Sequence, residues 1–142
     1  MAKRLLGDVL IGLGLAVVGQ FTQLAAGLLG RALGLPFPYS EAPADGSVPA
    51  GLLTQISLQF MLAGVGLLIL TFGIGWLVRV RGPVEGLQRG AIWAAVVALS
   101  QLLLGLGEGV VPVFGLVGVY VYLAAIVVGP ALAGLIGAKR ST

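Results

Sequence analysis

Four stretches of this chain are apolar for long enough to cross a membrane and almost free of charge: Leu5–Leu33, Leu52–Val78, Gly90–Leu106 and Val113–Gly137. A hydrocarbon core of about 30 Å takes roughly 20 apolar residues as a helix. Only 9% of the residues are charged and 58% are hydrophobic, whereas a soluble domain carries about a quarter charged residues. The expected fold is therefore all-α: a polytopic membrane protein whose four transmembrane helices form an antiparallel bundle, with residues 1–142 as a single domain. The first, second and fourth stretches exceed the minimum length, so tilt or protruding ends are expected.

The links differ in character. Residues 34–51 contain Pro36, Pro38, Pro43 and Pro49 among Ser, Asp and Gly, which reads as an extended, aqueous connector. The second link, VRVRGPVEGLQRG, is short and basic, and the third, GEGVVP, is tighter still and carries Glu108. Lys3, Arg4, Arg79, Arg81, Arg89, Lys139 and Arg140 fall on one side of the four spans, and Arg31 alone falls on the other. By the positive-inside rule both termini and the middle link face the cytoplasm, and the chain resides in the cell membrane. The net charge of +3 is thus a topology signal, and nucleic acid is not an expected partner. Lys3 and Arg4 before an apolar run also fit the start of a signal peptide, with Ala32-Leu33-Gly34 as a loose cleavage site. That run is about twice the usual length of a signal core, so the segment is expected to remain as a span.

Helices associate in lipid where small residues let backbones approach, helped by hydrogen bonds between helices. In the first span Gly12, Ala16, Gly19, Gln23, Ala26 and Gly30 recur at alternating steps of four and three, the period of a packed seam. Gln55, Gln59, Gly66 and Gly73 share a face of the second span. Ala94, Ala98, Gln101, Gly105 and Glu108 do so in the third, and Gly115, Tyr122, Gly129, Ala133 and Gly137 in the fourth. Gly14, Gly64 and Gly75 point away from these seams, towards a second interface.

Polar side chains fall inside the seams at matched depth. At 1.5 Å rise per residue, a side chain seven or eight residues from the outer end lies about 10–12 Å deep. Gln23, Gln59 and Gln101 all reach that level, and Tyr122 lies somewhat deeper, at roughly 15 Å. The expected site is this polar layer of Gln23, Gln59, Gln101 and Tyr122, flanked by Gln20, Gln55 and Glu108. A Ser or Thr precedes the glutamine in Thr22-Gln23, Thr54-Gln55 and Ser100-Gln101, a weak repeat that suggests a parallel duplication. An amide offers two donors and an acceptor, so glutamines on facing helices can satisfy one another and set register. The other reading is that the amides line a cavity for a polar solute, an ion or a head group.

Asp8 and Glu108 are the only acids in or at the edge of the spans. Asp8 lies one turn inside Lys3 and Arg4, where the helix dipole and those bases favour it. Glu108 reads as a solvated interfacial carboxylate. Trp76 and Trp93, near the inner ends of their spans, and Phe37 and Tyr39, outside, read as interface anchors. Pro130 is expected to kink or locally break the fourth span.

The chain has no Cys and no His, which removes thiolate chemistry, disulfides, the usual zinc ligands and histidine-ligated haem. No buried acid pair, nucleophile–base arrangement or phosphate loop stands out. Neither a catalytic site nor a metal or cofactor is expected. Four-span exporters of the small multidrug resistance family carry a buried glutamate in the first span, and the corresponding IGLGLAVVGQF has no acid. The leading expectation is a non-catalytic membrane protein that works by packing, as an accessory subunit beside other membrane proteins or as a homo-oligomer. The alternative is a small transporter or channel lined by the glutamines.

Overall fold

The computed structural model describes residues 2–34, 50–108 and 113–140. The helices are α1 (Ala2–Ala32), α2 (Ala50–Leu77), α3 (Pro83–Glu108) and α4 (Val117–Arg140), with a short 3₁₀ turn at Val113–Gly115 before α4. All four α-helices are long and apolar enough to cross a membrane. The proline-rich connector from 35 to 49, with its expected anchors Phe37 and Tyr39, lies outside the described residues, as does the tight link at 109–112.

Local chemistry sets the ends. α1 stops where Gly34 takes a left-handed conformation, φ +82°, and its N–H returns to the Arg31 carbonyl at 3.0 Å. α3 starts seven residues before the expected Gly90. Gly82 precedes Pro83 at the first helical position, and Glu85 Oε2 accepts the Arg81 N–H at 3.0 Å. Proline there loses no needed donor, and a third-position glutamate that reaches back satisfies an orphan one. Charge hides these roughly two turns from a reading based on hydropathy.

α4 is the central helix: 44% of its apolar window is buried, against 22% for α1 and for α3. It packs on α2 and α3, while α1 packs on α3 and α2. The core combines Leu15, Phe60, Leu67, Trp93, Val97, Val119, Tyr122 and Ile126. Leu10, Leu13, Val17, Phe21, Leu24 and Leu28 of α1 stay exposed.

Where α4 meets its neighbours, the approach is backbone to backbone. A Cβ added at Gly90 of α3 would lie 2.7 Å from the Val127 Cα, and one at Gly86 would lie 2.6 Å from the Ala131 Cα. From α2, Gly75 abuts Pro130, and from α4, Gly118 abuts the Ser57 backbone. Gly64 likewise rests on the Tyr122 backbone. Gly64 and Gly75 therefore serve the α2–α4 contact inside the fold, not a second interface. The face of α2 bearing Gly66 and Gly73 is the looser one, because Gly66 is exposed and no atom stands within 4 Å of a Cβ at Gly73. The sequence seam of α2 thus faces α1, which Gln59 bonds, while the tighter contact with α4 uses the other face. Glycines occur on both, and only the position of α4 distinguishes them. In α1, by contrast, Gly12, Gly19, Ala26 and Gly30 are all buried.

α4 runs without a break through Pro130, which is fully buried. Proline deprives the Ile126 carbonyl of its usual donor four residues on. Gly90 of α3 lies against that carbonyl and the next. One turn away, the fully buried Thr71 hydroxyl donates to Leu67 O at 2.7 Å and stands 3.4 Å from Ala125 O of α4. The helix continues through the proline among neighbours fitted closely to it.

Candidate functional site

Of the polar residues singled out in sequence, the structure brings Gln23, Gln59 and Tyr122 together. Gln59 Nε2 of α2 donates to the Gln23 backbone carbonyl of α1 at 2.7 Å. A carbonyl has two lone pairs, so it can accept this bond in addition to its own helical one. The Gln23 side chain lies near the Tyr122 hydroxyl without the geometry of a hydrogen bond between its Nε2 and that hydroxyl. That hydroxyl sits directly over Gly19, where any side chain would displace it. The Tyr122 ring is 1% exposed and meets Phe60 edge to face, with centroids 5.4 Å apart.

The layer is incompletely satisfied. Gln23 Nε2, Gln101 Nε2 and Tyr122 Oη are buried, and none has a hydrogen-bond partner among the described residues. A buried donor left unpaired costs about 1–3 kcal/mol. Gln101 contributes a buried amide from α3 that bonds neither other glutamine. The hydroxyls beside the glutamines turn inward to their own helices: Thr22 donates to Gly19 O and Ser100 to Val96 O, both at 2.8 Å. Gln20 is exposed and Gln55 half-buried, while the Glu108 side chain lies outside the described residues. Ser57, in the same TQISLQF segment as Gln59, accepts the Gly118 N–H at 2.8 Å and so caps the first turn of α4 from α2.

A second polar cluster, unanticipated in sequence, lies between α1 and α3. Asp8, 3% exposed, accepts Arg89 Nη2 at 2.8 Å, Arg89 Nε at 2.9 Å and Trp93 Nε1 at 3.0 Å, all on Oδ1. The Arg89 guanidinium also lies 6.0 Å from the Trp93 ring centroid. Asp8 is therefore paired across helices, not with Lys3 or Arg4 on its own. Trp93 is a fully buried donor, not an interface anchor, whereas Trp76 remains 40% exposed. An acid inside an apolar run demands a partner. The sequence signal was present, but the nearest bases in sequence were not the nearest in space.

Chemically, neither cluster pairs a nucleophile with a base. Among the described residues no group of His, Cys, Asp and Glu could hold a metal ion. The two clusters can fix helix register, and the unpaired donors of the glutamine layer can receive an acceptor from outside the chain. Comparison with protein-family models, curated proteins and solved structures finds no match.

Proposed function

We propose that this chain is a non-catalytic integral membrane protein whose work is packing, as an accessory subunit of a membrane complex or as a self-associating bundle. Both termini and the α2–α3 turn face the cytoplasm, and sequential helices run antiparallel. The direction is supported by the order of contacts. Gly86 meets Ala131 and Gly90 meets Val127, an order that reverses along α3 and α4. Asp8 meets Arg89 and Gly12 meets Val96, an order that advances together along α1 and α3. Orientation rests on the seven-to-one division of basic residues.

The carrying observation is that two polar side chains of α2 reach neighbouring helices and end on their backbone atoms: Gln59 on the Gln23 carbonyl and Ser57 on the Gly118 N–H. Contacts of this kind fix the register of one helix against another. The test is the oligomeric state and partner content of the full chain purified in mild detergent, by analytical ultracentrifugation and affinity capture. Self-association or a stoichiometric membrane partner is expected. A strictly monomeric protein with no partner would sink this reading.

A transporter or channel remains the second reading, and the three unpartnered polar atoms favour it. Leucine at Gln23, Gln59 and Gln101 separates the two. A clamp role predicts altered stability or assembly. A permeation role predicts lost solute flux in liposomes with assembly intact.

A further inference from the structure

The turn between α2 and α3 closes through two backbone bonds, Val80 N–H to Gly75 O at 3.1 Å and Arg79 N–H to Trp76 O at 3.2 Å. This is the Schellman arrangement, whose left-handed residue is usually glycine. α1 uses Gly34 at the matching position, but α2 uses Arg79, at φ 54°. An L side chain is held there against its preference. Such strain persists where the surrounding structure over-determines it, and an observed outlier of this kind points to a role for the residue.

Beside this turn opens a cleft of about 1100 Å³, lined by Arg4, Trp76, Arg79, Arg81, Glu85 and Arg89. Arg89 is matched by Asp8, and Glu85 is engaged with the Arg81 N–H. Arg4, Arg79 and Arg81 are exposed and have no ion-pair partner among the described residues. A second, shallower groove of about 350 Å³ is lined by Phe72, Gly73, Trp76 and Ile136. It shares Trp76 with the cleft, and the space above Gly73 is open. Gly73 is six residues from Arg79, so the groove runs roughly 9 Å along α2 away from the guanidiniums. The pair of spaces thus offers charge at the end of the span and an apolar channel beneath it.

We propose that cleft and groove together bind an anionic phospholipid, with its phosphate on Arg4, Arg79 and Arg81 and one acyl chain in the groove floored by Gly73. The proposal rests only on the helices lying in a bilayer, and holds whether the chain packs or transports. A free phosphate would satisfy the arginines but leave the groove unused. Basic pockets at the cytoplasmic ends of membrane helices suit such head groups.

The test uses the full chain in phosphatidylcholine vesicles doped with phosphatidylglycerol or phosphatidylcholine carrying brominated chains, which quench tryptophan at contact. A Trp76→Phe variant supplies the background from buried Trp93. Stronger quenching of Trp76 by the anionic lipid is expected. Arg79→Gly and Arg81→Gln should each lower that preference about fivefold. Arg79→Gly should also raise the thermal midpoint, since glycine is the favoured residue at this position. Gain of stability with loss of lipid selectivity is an outcome that a purely structural arginine would not produce. Gly73→Leu, which meets no neighbour, should fill the groove and reduce quenching. Equal quenching by both lipids, or a preference indifferent to the arginine variants, overturns the proposal. So does a preference that ignores Gly73→Leu and is abolished by millimolar inorganic phosphate, which would assign the cleft to a free anion.

Discussion

The α3–α4 contact and the glutamine layer hold helices together by opposite means. At Gly86, Gly90 and Pro130, backbones touch, and no polar side chain is needed. At Gln23, Gln59 and Tyr122 polar side chains reach between helices, and one bond is made while three buried polar atoms go without among the described residues. In lipid the first arrangement gains from dispersion over many atoms, with nothing to desolvate. The second spends desolvation on groups that receive little in return. Stability in this molecule should therefore concentrate where glycine is, and any capacity to accept something from outside should concentrate where the amides are.

The largest effect is expected from the one polar cluster that is fully matched. Asp8→Ala strands the Arg89 guanidinium and should cost about 3–5 kcal/mol in unfolding experiments in detergent, with much of the loss recovered by adding Arg89→Met. Next comes the glycine contact. Gly90→Val drives a branched side chain into the α4 backbone and should cost about 3 kcal/mol by the same measurement, with Gly14→Val as the near-neutral control on an open face. Gln59→Leu removes the single bond of the layer and should cost only about 1 kcal/mol. Tyr122→Phe is expected to be neutral or to stabilise by up to about 1 kcal/mol, because it deletes an unpaired hydroxyl without changing the ring. The comparison breaks if Tyr122→Phe destabilises as much as Gly90→Val, since the hydroxyl would then have a partner worth a full contact. It sharpens if Tyr122→Phe stabilises the protein yet alters solute flux or partner binding.

Much of the helical layout is legible in the sequence because the bilayer imposes a length. Residues of α1, α2 and α4 announce themselves by about 20 apolar positions in a row, and the stripe from Gly12 to Gly30 already marks the buried face of α1. The expected span of α3 is too short because its first two turns carry Glu85 and Arg89, and hydropathy alone stops at a charge. The tighter face of α2, against α4, is not legible for another reason. Gly64, Gly66, Gly73 and Gly75 lie on different faces, and glycine content cannot say which face has a neighbour. Counting residues puts Gln23 and Gln59 at a common level of their spans, and the two residues are joined by a hydrogen bond. The Asp8–Arg89–Trp93 cluster was not read, because it joins positions more than 80 residues apart.

What the sequence determined by itself follows from one-dimensional rules. Continuous apolar length makes four helices, Gly34 ends α1, and Gly82-Pro83 with Glu85 begins α3. Each of these depends on neighbours within a turn or on the thickness of the solvent. Tertiary structure alone decided which glycines meet a backbone, which base answers Asp8, and which amides are left unpaired. Those outcomes depend on how far each helix is rotated about its axis. In a chain apolar on nearly every face, no contrast between oil and water sets that rotation, and only the fit of one helix against another can.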